Sequence, residues 1–99
     1  MRKFSIKSNN MRIPFSRFIV SDRSMEPAFY DGDHVLTFNW IKPKAGDVVV
    51  FKSSRKSLIK RIKKIKDGKI FMKGDNLRFS SKVGPNELGQ IIGKVILKY

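Results

Sequence analysis

The pair Asp67-Gly68 constrains the fold of this chain most strongly. It lies between two runs rich in isoleucine and lysine. Asp and Gly both tolerate the positive φ that a two-residue turn of type I′ requires. Residues 58–66 and 69–73 are therefore predicted to pair as an antiparallel hairpin, and such a hairpin favours a sheet over a helical bundle.

Short apolar runs bounded by turn residues continue along the rest of the chain. We predict further strands over 15–20, 34–40, 48–51 and 91–99, and a loop over 77–87. No segment has a long apolar period of 3.6 residues, so at most one short helical turn is expected, near residues 25–30. The prediction is an all-β fold, namely a small, mostly antiparallel coiled sheet or partly open barrel.

The length of 99 residues indicates one domain. We expect residues 1–12, which are polar and basic, to be a flexible arm, and residues 13–99 to be the folded domain. No apolar run approaches the roughly 18 residues that a membrane helix needs, and the start does not resemble a signal peptide. The expectation is a cytoplasmic or peripherally membrane-associated protein.

The composition restricts both partners and cofactors. The chain has no cysteine and a single histidine, so neither a metal site nor another cofactor is expected. The net charge of +14 favours an anionic partner, such as an acidic membrane surface bound through the basic face and the apolar stretch 11–20. A separate membrane-anchored partner is another possibility.

Ser24 is the candidate nucleophile, in a turn-rich stretch after an apolar run. A reactive serine needs a base, and His34 and Lys60 are the candidates. Lys60 shares its strand face with Leu58 and Ile62, so its neighbours on that face are apolar. Burial favours the neutral amine, which is the form that accepts a proton.

Five sequence blocks occur in order over residues 21–95, and their order is more specific than any one block. The blocks are Ser24-Met25-Glu26-Pro27 with Asp31-Gly32-Asp33-His34-Val35, Pro43-Lys44-Ala45-Gly46-Asp47-Val48-Val49-Val50-Phe51, Ile59-Lys60-Arg61-Ile62, Gly74-Asp75-Asn76 with Ser80, and Ile91-Ile92-Gly93-Lys94-Val95. Together they resemble the blocks of type I signal peptidases. The self-cleaving repressor domains share the Ser-Met block and the lysine.

The resemblance implies a serine endopeptidase with a Ser/Lys dyad and a fold of the signal-peptidase or repressor-peptidase type. It assigns the nucleophile to Ser24 and the general base to Lys60. It also makes the Ser24 backbone N–H an oxyanion donor and Ser80 the group that orients the lysine. Bacterial members often place a second donor, a serine hydroxyl, two residues before the nucleophile. Here that residue is Asp22, whose ionised carboxylate cannot donate.

The remaining implied roles are support of the site and contact with substrate. The support residues are Gly74, Asp75, Asn76 and Arg61, with Arg61 and Asp75 as an ion pair, and the substrate contacts are Met25 and Pro27. Ideal hairpin pairing would instead set Lys60 opposite Asp75, where an ion pair would keep the lysine charged. We therefore predict that Arg61 takes Asp75; a bulge that shifts the register is the other solution.

The resemblance predicts a signal-peptidase-type enzyme that cleaves a polypeptide precursor after a small residue. A soluble maturation protease for a metalloenzyme precursor, such as nickel superoxide dismutase, is an alternative. So is a non-enzymatic repressor-like or nucleic-acid-binding β domain. Only 23 residues precede Ser24 here, which disfavours the repressor arrangement. Nucleic acid is disfavoured because Phe38, Trp40 and Phe71, the aromatics that bases would stack on, are expected in the core.

Overall fold

A computed structural model of the chain describes residues 14–79 and 83–99. In these ranges it forms one antiparallel sheet that does not close, in the order β1-β2-β7-β3-β4-β5-β6, and a 3₁₀ turn at Leu88–Gln90. The strands are β1 (Phe15–Ile19), β2 (His34–Phe38), β3 (Val48–Ser53), β4 (Lys56–Lys66), β5 (Lys69–Lys73), β6 (Val83–Glu87) and β7 (Ile91–Lys98). The all-β prediction is confirmed. No helix in the described part is long and apolar enough to cross a membrane.

The central hairpin forms as predicted, whereas one strand was missed. Asp67 and Gly68 have φ values of 53° and 76°, as a primed turn requires. The prediction of a loop over 77–87 was wrong at its end, because β6 lies there and pairs with β5. This strand contains Gly84 and Pro85, and both residue types ordinarily indicate a loop. Proline is tolerated in β6 because the strand lies at an edge of the sheet.

The core lies on both faces of β3, the strand predicted to be buried. Val48 and Val50 belong to one apolar cluster and Val49 and Phe51 to another. Side chains alternate between the faces of a strand, so one continuous apolar run supplies both clusters. Each fully buried side chain of this kind stabilises the fold by about 1.5–3 kcal/mol. β3 is therefore packed against apolar side chains on both of its faces.

The loop between β1 and β2 carries Ser24 and is closed at its base. The Val20 N–H donates to Asp33 O at 2.8 Å, and the Gly32 N–H donates to Val20 O at 2.7 Å. Inside the loop the Phe29 N–H donates to Met25 O at 2.9 Å, which is the single helical turn expected near residues 25–30. These backbone bonds fix the position of Ser24 relative to the sheet.

A bulge in β4 changes the register that ideal pairing would give. Lys64 lies opposite Phe71 and Ile62 lies opposite Met72, so Lys63 is an extra residue in the strand. Beyond the bulge Arg61 lies opposite Lys73. The shift by one residue removes Lys60 from the position opposite Asp75 that an unbroken hairpin would assign to it.

Gly93 in β7 is expected to resist any larger residue. A Cβ atom built at Gly93 would overlap the side chain of Asn39 and lie 3.0 Å from Thr37 Cβ. Gly93→Ala is therefore expected to reduce the free energy of unfolding by about 1–3 kcal/mol. Urea denaturation measures this. Gly89→Ala is the matched control, since nothing lies within 4 Å of its Cβ position; an equal loss in both variants would contradict the expectation.

Candidate active site

Ser24 and Lys60, which are far apart in the sequence, meet in the structure. The Lys60 Nζ atom donates a hydrogen bond of 2.6 Å to Ser24 Oγ. Ser24 is only 3% exposed and Lys60 only 6%. Ser24 comes from the loop after β1 and Lys60 from β4, so the curl of the sheet creates the pair. The contact is a buried hydroxyl–amine pair of the kind that can transfer a proton.

The burial of Lys60 follows from the strand that carries it. Leu58 and Ile62 share its face of β4 and belong to an apolar cluster, and Val49 is its cross-strand partner. Among the described residues, Ser24 Oγ is the only hydrogen-bond partner of the Lys60 amine, and no carboxylate forms an ion pair with it. The amine is therefore buried among apolar side chains with its hydrogen bond directed at the candidate nucleophile.

Asp22 lies against the nucleophile and makes two hydrogen bonds to it. The Ser24 backbone N–H donates to Asp22 Oδ1 at 3.0 Å, and the Ser24 hydroxyl donates to the same oxygen at 2.9 Å. The sequence showed only that Asp22 cannot donate to an oxyanion. An aspartate two residues before a serine is, however, a known signal for a local side-chain turn, and it could have indicated this contact.

Arg61 and Asp75 form a two-pronged ion pair next to the dyad. Arg61 Nε and Nη2 donate to the two carboxylate oxygens of Asp75 at 2.9 and 2.8 Å. Arg61 Nη1 also donates to Gly46 O at 2.9 Å. The hydrogen bond to Asp75 is the main reason why the pKa of Arg61 is raised above its ordinary value. Arg61 thus joins the turn before β3 to the loop after β5, and Lys60 stays unpaired with Asp75.

The loop after β5 holds the nucleophile turn. The Asn76 backbone N–H donates to Ser24 O at 2.8 Å, and its side-chain Nδ2 donates to Arg23 O at 2.9 Å. The Arg23 guanidinium also lies over the ring of Phe79, at 4.4 Å from its centre. The family resemblance implied a supporting role for Asn76 and gave no role to Phe79. These contacts explain why the block with Gly74, Asp75 and Asn76 accompanies the serine block.

The remaining predicted site residues differ in how far they are exposed to solvent. Met25 is 0% exposed and packs in the core, so its side chain does not reach the surface in this structure. Pro27 is exposed and Gly74 is buried. Ser80 lies outside the described residues. His34, the other candidate base, packs against Tyr99 with ring centres 5.4 Å apart.

A cleft of about 110 Å³ lies beside the nucleophile turn and is lined in part by Ser21 and Asp22. One wall is the end of β1 with Asp22, and the other is the start of β4. β1 is an edge strand, and β5 pairs with β4 only from Arg61 onward. Within residues 14–79 and 83–99, both walls therefore present strand edges that no other strand pairs with. The cleft can receive an extended peptide.

One expectation about the surface was wrong. Trp40 was expected in the core, but it is 64% exposed, because β2 ends at Phe38 and the chain turns outward there. Phe38 and Phe71 are half-buried. Trp40 lines a shallow groove together with Ile41, Lys42 and Leu88.

Comparison with known proteins gives one family. The profile described as Peptidase S24-like matches residues 3–96. No curated protein is significantly similar to the chain. The narrower resemblance to type I signal peptidases stays a prediction. Because the match covers nearly all of the sequence, the chain belongs to the Peptidase S24-like family, a group of serine peptidases and repressor-like self-cleaving domains.

Proposed function

We propose that this protein is a serine endopeptidase that cleaves a polypeptide precursor through a Ser24/Lys60 dyad. The observation that carries the proposal is the hydrogen bond of 2.6 Å between the buried Lys60 amine and Ser24 Oγ. The alternative base, His34, packs on Tyr99. Membership of the Peptidase S24-like family supports the same chemistry.

The geometry of the pair supports the following course of reaction. The neutral Lys60 amine takes the hydroxyl proton as Ser24 Oγ attacks the peptide carbonyl, and the carbonyl electron pair moves onto oxygen. The Ser24 backbone N–H stabilises the oxyanion that forms. The Lys60 ammonium then protonates the leaving amine, and the C–N bond breaks. Water hydrolyses the resulting ester, again with Lys60 as the base.

The cleft supports an extended substrate. A peptide lying between the end of β1 and the start of β4 can form main-chain hydrogen bonds with both strand edges. Ser24 lies just beyond the β1 wall, so the scissile bond would come within reach of its hydroxyl. A small residue before the scissile bond is what the resemblance to signal peptidases implies.

A cleavage assay with purified protein tests the proposal. The substrates are peptides and precursors with an Ala-x-Ala site, including a precursor of a nickel superoxide dismutase, with products identified by mass spectrometry. Cleavage of an added substrate supports the proposal. Shortening of the protein itself, with every added substrate intact, would instead favour the self-cleaving reading. No cleavage of either kind would contradict a peptidase function.

We further propose that the substrate is met at an anionic membrane surface. Support comes from the groove with Trp40, Ile41 and Leu88, which combines exposed apolar side chains with Lys42 at its rim. Lys44 next to it is also exposed, and the chain as a whole carries +14. Apolar side chains beside lysines suit the interface of an acidic bilayer, where tryptophan is enriched.

Trp40 is the only tryptophan of the chain, so its fluorescence reports this surface directly. Vesicles containing anionic lipid are expected to shift the emission to shorter wavelength at low salt, because the indole leaves water. Lys42→Glu with Lys44→Glu should weaken the shift. Lys64→Glu with Lys66→Glu makes the same change in net charge away from the groove, and it should weaken the shift less. An unchanged spectrum with vesicles, together with quenching by single-stranded DNA, would favour the nucleic-acid alternative.

A further inference from the structure

We infer that Asp22 closes the candidate active site at rest, and that a substrate carbonyl must displace it before Ser24 reacts. The inference rests on the Ser24/Lys60 function proposed above. Asp22 Oδ1 accepts a hydrogen bond from the Ser24 N–H at 3.0 Å and another from the Ser24 hydroxyl at 2.9 Å. A single carboxylate oxygen thus occupies both of the groups that Ser24 contributes to the reaction.

The first contact occupies the oxyanion donor. The tetrahedral intermediate places a negative charge on the former carbonyl oxygen, and the Ser24 N–H has to point at that oxygen. The carboxylate of Asp22 already holds this N–H. It would also repel a second anion at the same place, since two like charges a few ångströms apart interact strongly at a partly buried site. In the observed arrangement the Asp22 carboxylate therefore occupies the position beside the Ser24 N–H that the oxyanion would take.

The second contact directs the hydroxyl proton away from the base. Ser24 has one hydroxyl proton, and it is donated to Asp22 Oδ1 while Lys60 Nζ donates to Ser24 Oγ. During attack the same proton has to pass to the neutral Lys60 amine. The hydrogen bond between Ser24 and Asp22 must break for this transfer. Asp22 is accordingly a positioning residue that opposes the reactive arrangement.

The place of Asp22 in the cleft makes displacement by substrate feasible. Its side chain is half-buried and lines the cleft beside Val20 and Leu58. A peptide entering between the two walls meets the carboxylate before it meets Ser24. The nucleophile turn does not depend on Asp22 alone, because Asn76 holds Ser24 O from the other side. Asp22 can thus swing away while Ser24 keeps its position.

Kinetics of Asp22 variants test the inference. We expect Asp22→Ala to raise kcat/KM by about tenfold, because a charge-assisted hydrogen bond to Ser24 no longer has to be broken. Asp22→Asn should lie between Asp22→Ala and the native protein, since the amide oxygen still accepts but carries no charge. Asp33→Asn is the matched control in the same loop. Its carboxylate accepts the Tyr30 N–H and does not contact Ser24.

The affinity for a peptide aldehyde is a second test of Asp22. If Asp22 had only a structural role, its substitution would not tighten the binding of the aldehyde. Ser24 Oγ adds to the aldehyde carbon, the hydroxyl proton passes to Lys60, and the carbonyl oxygen becomes the oxyanion. Asp22→Ala should bind the aldehyde about tenfold more tightly. The corresponding peptide alcohol, which forms no adduct, should bind the variant and the native protein equally.

The outcomes separate this inference from the proposed function. Cleavage by the native protein, with Asp22→Ala folded but no faster and no tighter for the aldehyde, would overturn the role of Asp22 alone. A folded Asp22→Ala protein with lower activity would do the same, since it would make Asp22 a required support. No cleavage and no aldehyde binding by the native protein would overturn the proposed function, and the inference with it. Urea denaturation establishes that each variant is folded.

Discussion

Lys60→Met is expected to reduce kcat/KM for peptide cleavage by about 10³-fold, within the range that loss of a general base usually costs. Methionine has nearly the length of lysine and suits the apolar surroundings of Leu58 and Ile62. The variant should therefore fold at least as well as the native protein. Ser24→Ala should lose activity to a similar or greater extent. Steady-state kinetics with the peptide substrate and urea denaturation measure the two properties side by side.

Lys64→Met is the matched control for this experiment. Lys64 lies on the same strand but is exposed, and its amine lies 5.0 Å from the centre of the Phe71 ring. We expect it to keep the activity of the native protein. A folded Lys60→Met protein that retained a tenth or more of the native activity, by the rough scale of general-base effects, would exclude Lys60 as the base.

Arg61→Met is expected to lower both stability and activity. The substitution removes two hydrogen bonds to Asp75 and one to Gly46 O, and leaves a carboxylate that is 21% exposed without its partner. We expect a loss of about 1–2 kcal/mol in the free energy of unfolding. This is less than a fully buried ion pair would cost, because the Arg61 side chain is 38% exposed and solvent screens the pair. Activity should fall about tenfold, since Asp75 precedes the residue that holds the nucleophile turn.

Lys69→Met is the control for the ion pair. Lys69 pairs with Glu87 at the surface, where both side chains are well exposed, so its loss should have little effect. The raised pKa of Arg61 keeps the guanidinium charged until strongly alkaline pH. Its stabilising effect is present below the unfolded-state pKa and is lost only above it, so the stability difference should not change through neutral pH on account of Arg61. Equal losses in Arg61→Met and Lys69→Met would contradict a special role for this pair.

The parts of the fold that local sequence controls were predictable. Asp67-Gly68 fixes the hairpin because few other residues accept the φ values of that turn. The burial of Lys60 followed from its apolar neighbours on the same face of β4. Its proximity to Ser24 came only from the family resemblance, because no local pattern relates residues from a loop and a distant strand.

The parts that depend on long-range packing were not predictable. A bulge was one of the two solutions considered for the register, but its position at Lys63 was not predictable, because the sequence around it shows no glycine or proline. β6 contains Gly84 and Pro85, which ordinarily indicate a loop. Trp40 continues an alternating pattern, but the strand ends before it. For the bulge and for β6 the pairing partner is β5, and the local sequence does not contain its position.

The bulge also divides β4 into two stretches, of which one carries site residues and the other is exposed to solvent. Before Lys63 the strand contributes Lys60 and Arg61 to the buried site. After it, the side chains of residues 64–66 are exposed and mostly basic. Because the extra residue interrupts the ladder between them, changes of charge in the outer stretch need not be transmitted to the inner one. Evolution could thus retune how strongly this protein is attracted to anionic surroundings while leaving its chemistry untouched.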